Sequence, residues 1–165
     1  MRILSNNKTF YINLIIVFLI FILDRLTKLY VIYLDKINSS SEIFSSKFLN
    51  IYLIWNEGVA FGLFSIQEKN LYNFFTIFIL IIISTITFVL FKTKDFKKYP
   101  LILILGGALG NFFDRIFYNA VPDFIDFHVG EFHWFIFNVA DIFITFGVIF
   151  MILLELTGSK IENKI

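Results

Sequence analysis

Residues 71–91 read LYNFFTIFILIIISTITFVLF, 21 positions without one Asp, Glu, Lys or Arg. As a helix this stretch is about 30 Å long, the thickness of the hydrocarbon core of a bilayer. The rest of the chain has the same character. Of 165 residues, 58% are hydrophobic and 20% aromatic, while 16% are charged. So short a chain has too little interior to hide that much apolar surface, which argues against a water-soluble enzyme and against disorder. The net charge of +1 offers no basic surface to nucleic acid. With no cysteine, disulfides, thiolate nucleophiles and thiolate metal sites are excluded.

Working outward, three more runs share this composition. Phe10–Leu34 is apolar apart from Asn13 and the group Asp24, Arg25 and Lys28. Tyr99–Tyr118 is apolar until Asp114 and Arg115, and Phe132–Leu156 is interrupted by His133, Asn138, Asp141 and Glu155. None alternates as barrel strands do, so the expected fold is mainly α: one membrane domain over 1–165 with spans near 10–34, 71–91, 99–118 and 132–156. The first run ends in Asp24-Arg25-Leu26-Thr27-Lys28, not in a small-x-small cleavage site, and is expected to remain as a span. Cations gather at Arg2 and Lys8, in the 92–98 loop, and at Lys160 and Lys164. Both termini and that loop are therefore expected in the cytoplasm, with 35–70 and 119–131 outside. Within 35–70, the strand-like 47–55 and the turn Asn56-Glu57-Gly58 predict a small extracytoplasmic β-platform between the first two helices.

Ionisable groups within a span cost roughly 3 kcal/mol each and point to function. Counted along helices, Asp24 and Asp114 each lie about 21 Å from the cytoplasmic face, and Asp141 about 10 Å below the outer one. All three fall in the outer third of the core. Asp24 and Lys28 stand at i, i+4, Asn111 shares a face with Asp114 and Arg115, and Trp134, Asn138, Asp141 and Thr145 form a stripe that gives the fourth helix one polar face. Asp24 with Lys28, and Asp114 with Arg115, also fit ion pairs that lock helices together. Gly106 and Gly110 form a G-x-x-x-G pair suited to close helix approach. Asp126, His128, Glu131 and His133 match no familiar helix-borne ligand set and read as a hydrated interfacial loop, so no metal is expected. Asp141 has no cation near it on its own helix.

Were Asp123, from the outer loop, to meet Asp141 near the membrane surface, the two carboxylates would share one proton. Such a pair can take a proton from water with one member and donate one with the other, the chemistry of an aspartic protease.

Five ordered blocks carry a resemblance that covers nearly the whole chain. They are Asp24-Arg25-Leu26-Thr27-Lys28, Asn56-Glu57-Gly58-Val59-Ala60-Phe61-Gly62, the glycine-rich block from Gly106 to Arg115, Val121-Pro122-Asp123-Phe124-Ile125-Asp126-Phe127, and Phe137-Asn138-Val139-Ala140-Asp141. In these the chain resembles lipoprotein signal peptidase (signal peptidase II), a family of bacterial membrane aspartyl proteases. The resemblance implies removal of the signal peptide from diacylglyceryl-modified prolipoproteins, just before the lipidated cysteine, without cofactor or metal. It implies catalytic roles for Asp123 and Asp141. It gives substrate-binding or site-shaping roles to Asp24, Lys28, Asn56, Gly58, Asn111, Asp114, Arg115 and Asn138, with Asp114 placed to orient Arg115. Arg25 and Val59 depart from the family pattern. The implied setting is the bacterial inner membrane, with the site near its outer face, and a monomer that meets membrane lipids, prolipoprotein and cyclic-peptide inhibitors of the globomycin type. A proton-coupled transporter is the rival that intramembrane acids allow, but no inverted repeat or broken-helix pair supports it. An assembly subunit binding a partner helix through its polar stripe is the other.

Overall fold

The computed structural model describes residues 2–38, 42–58, 69–93 and 95–162. Four long helices carry the chain: α1 (Arg2–Ile37), α2 (Lys69–Lys92), α3 (Lys98–Tyr118) and α4 (Val139–Glu162). Among the described residues, Tyr72–Lys92, Lys98–Tyr118 and Val139–Thr157 are long and apolar enough to cross a membrane. Their outward surfaces are hydrocarbon: Phe74, Ile77, Phe78 and Ile81 on α2 and Phe146, Ile149 and Ile152 on α4 are all exposed. Side chains of this kind are stable on a surface only where the solvent is lipid.

α3 is the central helix. More than half of its 18-residue apolar window is buried, against 11% and 17% for the windows in α2 and α4. The glycine pair explains how neighbours come so close. A Cβ on Gly106 would stand 2.8 Å from the Ile20 side chain, one on Gly110 would stand 2.5 Å from an Asp24 oxygen, and one on Gly107 would strike the Ala140 carbonyl. Two glycines admit α1, and the third admits the start of α4. Around Ile102 and Leu105, the helices close a small apolar core with Val17 and Ile83.

Beyond one end of the helices lies a four-stranded antiparallel sheet, ordered β1 (Phe44–Ser45), β2 (Leu49–Asn56), β3 (Val121–Val129) and β4 (Phe132–His133). The platform expected from 35–70 exists, but half of it comes from 121–133, expected as a loop and the start of the last span. The 119–131 region is not a loop. Asn119, in the left-handed region at φ 54°, closes α3, and the chain leaves directly into β3. Pro122 is tolerated because it sits at the start of that strand. β2 pairs with β3 through Ile54 opposite Asp123 and Asn56 opposite Val121. Gly130, at φ 59°, turns β3 into β4.

The start of the last helix also differs from expectation. Residues 132–137 are mostly apolar and aromatic, but they are not helical: Phe137 pairs with Ile125 through backbone hydrogen bonds in both directions, 2.8 and 3.1 Å. α4 begins at Val139, so Trp134 and Asn138 do not belong to a helical stripe, and Asp141 lies in the first turn. Val59–Gly62 of the second sequence block lie outside the described residues.

Candidate active site

The largest fully buried side chains are mostly polar: Lys28, Asn138, Asp24, Asp114 and Asp126 are among them. Asp126 apart, they divide into two neighbouring groups joined by asparagines.

The first group ties α1 to α3. Arg25 Nη1 and Nη2 donate to the two oxygens of Asp114 at 2.5 and 2.7 Å, and Nη2 also reaches Asp24 at 2.9 Å. Lys28 Nζ contacts Asp24 at 3.0 Å and Asp114 at 2.7 Å. Two acids and two bases thus neutralise one another with little or no contact with solvent, which is how buried charge is tolerated. Asp24 has another role: its Oδ1 accepts the backbone N–H of Ala140 at 3.0 Å, fastening the first turn of α4 to α1. The expected Asp114–Arg115 pairing does not form. Asp114 is taken by Arg25 and Lys28, because those side chains from α1 lie across the glycine-lined interface. Arg25, outside the expected site set, is a full member of the network. Its only sequence signal was the neighbouring acid.

Lys28 Nζ also donates to Asn111 Oδ1 at 2.8 Å, and this bond fixes which way the Asn111 amide faces. With its oxygen committed, Asn111 turns its Nδ2 to Asp141 Oδ1, 2.8 Å away. Asp141 Oδ2 accepts the backbone N–H of Asn138 at 3.1 Å, while Asn138 Oδ1 accepts the Asp141 N–H at 3.2 Å. This reciprocal pair is a capping box with Asp in the place usual for Glu, and it starts α4. The remaining Asn138 group, Nδ2, donates to Asp123 Oδ1 at 2.6 Å. Asp123 Oδ2 is held by Asn56 Nδ2 at 2.8 Å, and Asn56 Oδ1 in turn accepts the Gly58 N–H at 2.9 Å, an Asx turn.

One residue, Asn138, therefore bonds both acids. Burial, followed by the nearby charge of Asp141, raises Asp123 from the ordinary carboxylate range to about 6, against the opposing pull of its two amide donors. Arg115 is buried and forms no ion pair among the described residues; its Nη1 donates to the Asn111 carbonyl at 3.1 Å. The guanidinium lies in electrostatic range of both acids. Tyr72, absent from the expected set, donates its hydroxyl to the Arg115 carbonyl at 3.3 Å.

Two apolar recesses converge here. One, of about 280 Å³, is lined by Tyr72, Phe75, Ile79, Asn111, Arg115 and Asp141. The other, of about 470 Å³, is lined by Trp134, Phe135, Phe137, Asp141, Ile142 and Phe146. Asp141 borders both.

This arrangement matches known proteins along most of its length. Residues 16–157 match the family model for signal peptidase (SPase) II. The chain belongs to the signal peptidase II family. It is 55% identical to the lipoprotein signal peptidase of Pelagibacter ubique (strain HTCC1062), over 96% of this chain and 97% of that one. It is 39% identical to the lipoprotein signal peptidase of Anaplasma phagocytophilum (strain HZ), over 88% and 92%. A solved bacterial membrane enzyme superposes with a TM-score of 0.73 at 34% identity, covering 89% of this chain and 88% of that chain. As a signal peptidase II, the chain is a membrane protease of lipoprotein processing.

Proposed function

We propose that the chain is an aspartic endopeptidase in which Asp123 and Asp141 share a proton and together activate a water molecule. The observation that carries this reading is Asn138: its side-chain amide holds one acid and its backbone amide the other. In the reaction, the ionised carboxylate takes a proton from water as its oxygen attacks the scissile carbonyl carbon. The protonated carboxyl gives its proton to the carbonyl oxygen. Collapse of the tetrahedral diol breaks the C–N bond, the amide nitrogen receiving a proton from the pair. Arg115, the one cation here free of an acid partner among the described residues, faces the charge that develops on the oxygen. Asn111, held by Lys28, positions Asp141.

The substrate that best suits the site is a diacylglyceryl-modified prolipoprotein, cut just before the lipidated cysteine. The two recesses meeting at Asp141 offer apolar room on either side of the acids for acyl chains and for a signal-peptide helix. No metal or cofactor enters these steps. α1 completes four spans: Leu14, Ile15, Phe18, Leu19 and Leu23 form an exposed apolar face, while Asp24, Arg25 and Lys28 turn inward. Both termini and the 92–98 loop are cytoplasmic, and the sheet lies at the outer face of the bacterial inner membrane. The protein acts as a monomer, and a cyclic peptide of the globomycin type blocks the same acids.

The test is cleavage of a lipidated precursor by detergent-purified protein. Asp123→Asn and Asp141→Asn are each expected to lower the rate at least about 10³-fold, with chelator leaving the parent rate unchanged. Retained activity in either variant removes the pair from catalysis.

A further inference from the structure

The chain has only two histidines, and the fold brings both to one place. His128 on β3 lies directly opposite His133 on β4, and their rings stack at 5.0 Å, 19° from parallel. Asp126 stands two residues before His128, so strand alternation sends both to the same face of the sheet. His133 Nδ1 lies 2.9 and 3.1 Å from the two Asp126 oxygens.

Three features go beyond what a hairpin needs. Asp126 is fully buried, yet no lysine or arginine pairs with it among the described residues; its other partners are neutral, Asn50 Nδ2 at 3.4 Å and the Tyr52 hydroxyl. A buried carboxylate of this kind calls for positive charge beside it. The two imidazole rings stack beside that carboxylate, 5.0 Å apart. Finally, His128 Nδ1 is shielded from solvent without any hydrogen-bond partner. One cation between the rings and the carboxylate answers all three.

We infer that Asp126, His128 and His133 form a binding site for one divalent transition-metal ion of the zinc class, outside the catalytic pair. One potential ligand atom from each residue already lies within 4.8 Å of the others. A tetrahedral zinc site with bonds near 2.0–2.1 Å sets ligand atoms roughly 3.4 Å apart. Rotation of His133, whose side chain is half exposed, closes that difference. Two imidazoles and one carboxylate favour zinc, nickel or copper over the oxygen-seeking magnesium and calcium, and leave a fourth position for water. The ion clamps β3 to β4. That hairpin carries Asp123 on one side and leads to Asn138 on the other, so the role is to stabilise the fold of the platform and not to set the rate of cleavage.

The experiment titrates Zn²⁺ into full-length, detergent-purified protein that carries no histidine tag and has been stripped with chelator. Binding is followed by calorimetry, with Mg²⁺ as the control. One equivalent of Zn²⁺ is expected to bind, with affinity falling at least about tenfold in each of His128→Ala and His133→Ala, and with no Mg²⁺ heat. Zn²⁺ is also expected to raise the melting temperature of the parent and not of these variants. Neither histidine is among the hydrogen-bond partners of Asp123 and Asp141, so peptidase activity in chelator reports that each variant is folded. Binding well below one equivalent, or binding unchanged in both variants, overturns the site.

Discussion

Two pairs of acids sit side by side in this protein, and they are treated in opposite ways. Asp24 and Asp114 are each met by Arg25 and Lys28, so their charge is cancelled and fixed. Asp123 and Asp141 are met by Asn56, Asn111 and Asn138 and by a backbone N–H, and form no ion pair among the described residues. An amide donor orients a carboxylate without cancelling its charge, so a proton can still move between the second pair. The first pair cannot give up its charge without stranding two cations. On the proposed mechanism, acids held by cations maintain the fold, and acids held by amides do chemistry.

The most severe way to break this comparison is to neutralise the second pair. Asp123→Asn or Asp141→Asn is expected to cost at least about 10³-fold in rate with a melting temperature no lower than the parent's. A comparable loss of stability would place these acids with the first set. Next is Lys28→Met, which leaves Asp24 and Asp114 sharing one cation. About 3–5 kcal/mol of stability is expected to disappear, seen as a fall of roughly 10 °C in melting temperature. A variant that melts normally but does not cleave would move Lys28 into the catalytic set. Asn111→Leu tests the boundary between the two, because this amide touches Lys28 on one side and Asp141 on the other. A rate loss of about 10- to 100-fold with a melting temperature within a few degrees of the parent is the expected result.

The smallest effect is on pH dependence. Asp123 ionises at about 6 in the folded protein and near 3.8 when unfolded. The unfolded chain therefore binds fewer protons between those values, and this group's contribution to stability declines as pH rises from about 4 through 6. Asn at this position carries no such penalty. Asp123→Asn is thus expected to gain on the parent by roughly 2–8 °C between pH 4 and pH 7, measured by melting both proteins across that range. A constant difference would mean that Asp123 is not protonated in the fold.

Much of this was legible in the sequence, because lipid imposes simple rules. The charge-free run at 71–91 led to α2, and the glycine pair at Gly106 and Gly110 to a close helix approach whose partner, α1, only the structure names. What stayed hidden depends on contacts between distant segments. Phe132–Phe137 has the composition of a membrane helix, and its backbone pairing with β3, from Val129 to Ile125, keeps it out of one. The same pairing moved the start of α4 to Val139 and turned Asn138 from one member of a stripe into the cap that bonds both acids. Asp114 has Arg115 beside it in sequence, but its partners come from α1, 86 and 89 positions away. Residue types at the site could be listed from the sequence, whereas their pairing could not.

Asn138 has one more consequence, which concerns the membrane more than the chemistry. Bilayers differ in thickness, and helices respond by tilting. In this chain the gap between the two acids spans a single amino acid, its peptide nitrogen on one side and its carboxamide on the other, so tilting moves both acids as one body. Processing rates are therefore expected to vary little between thin and thick lipid mixtures, even though the surrounding helices lean differently in each.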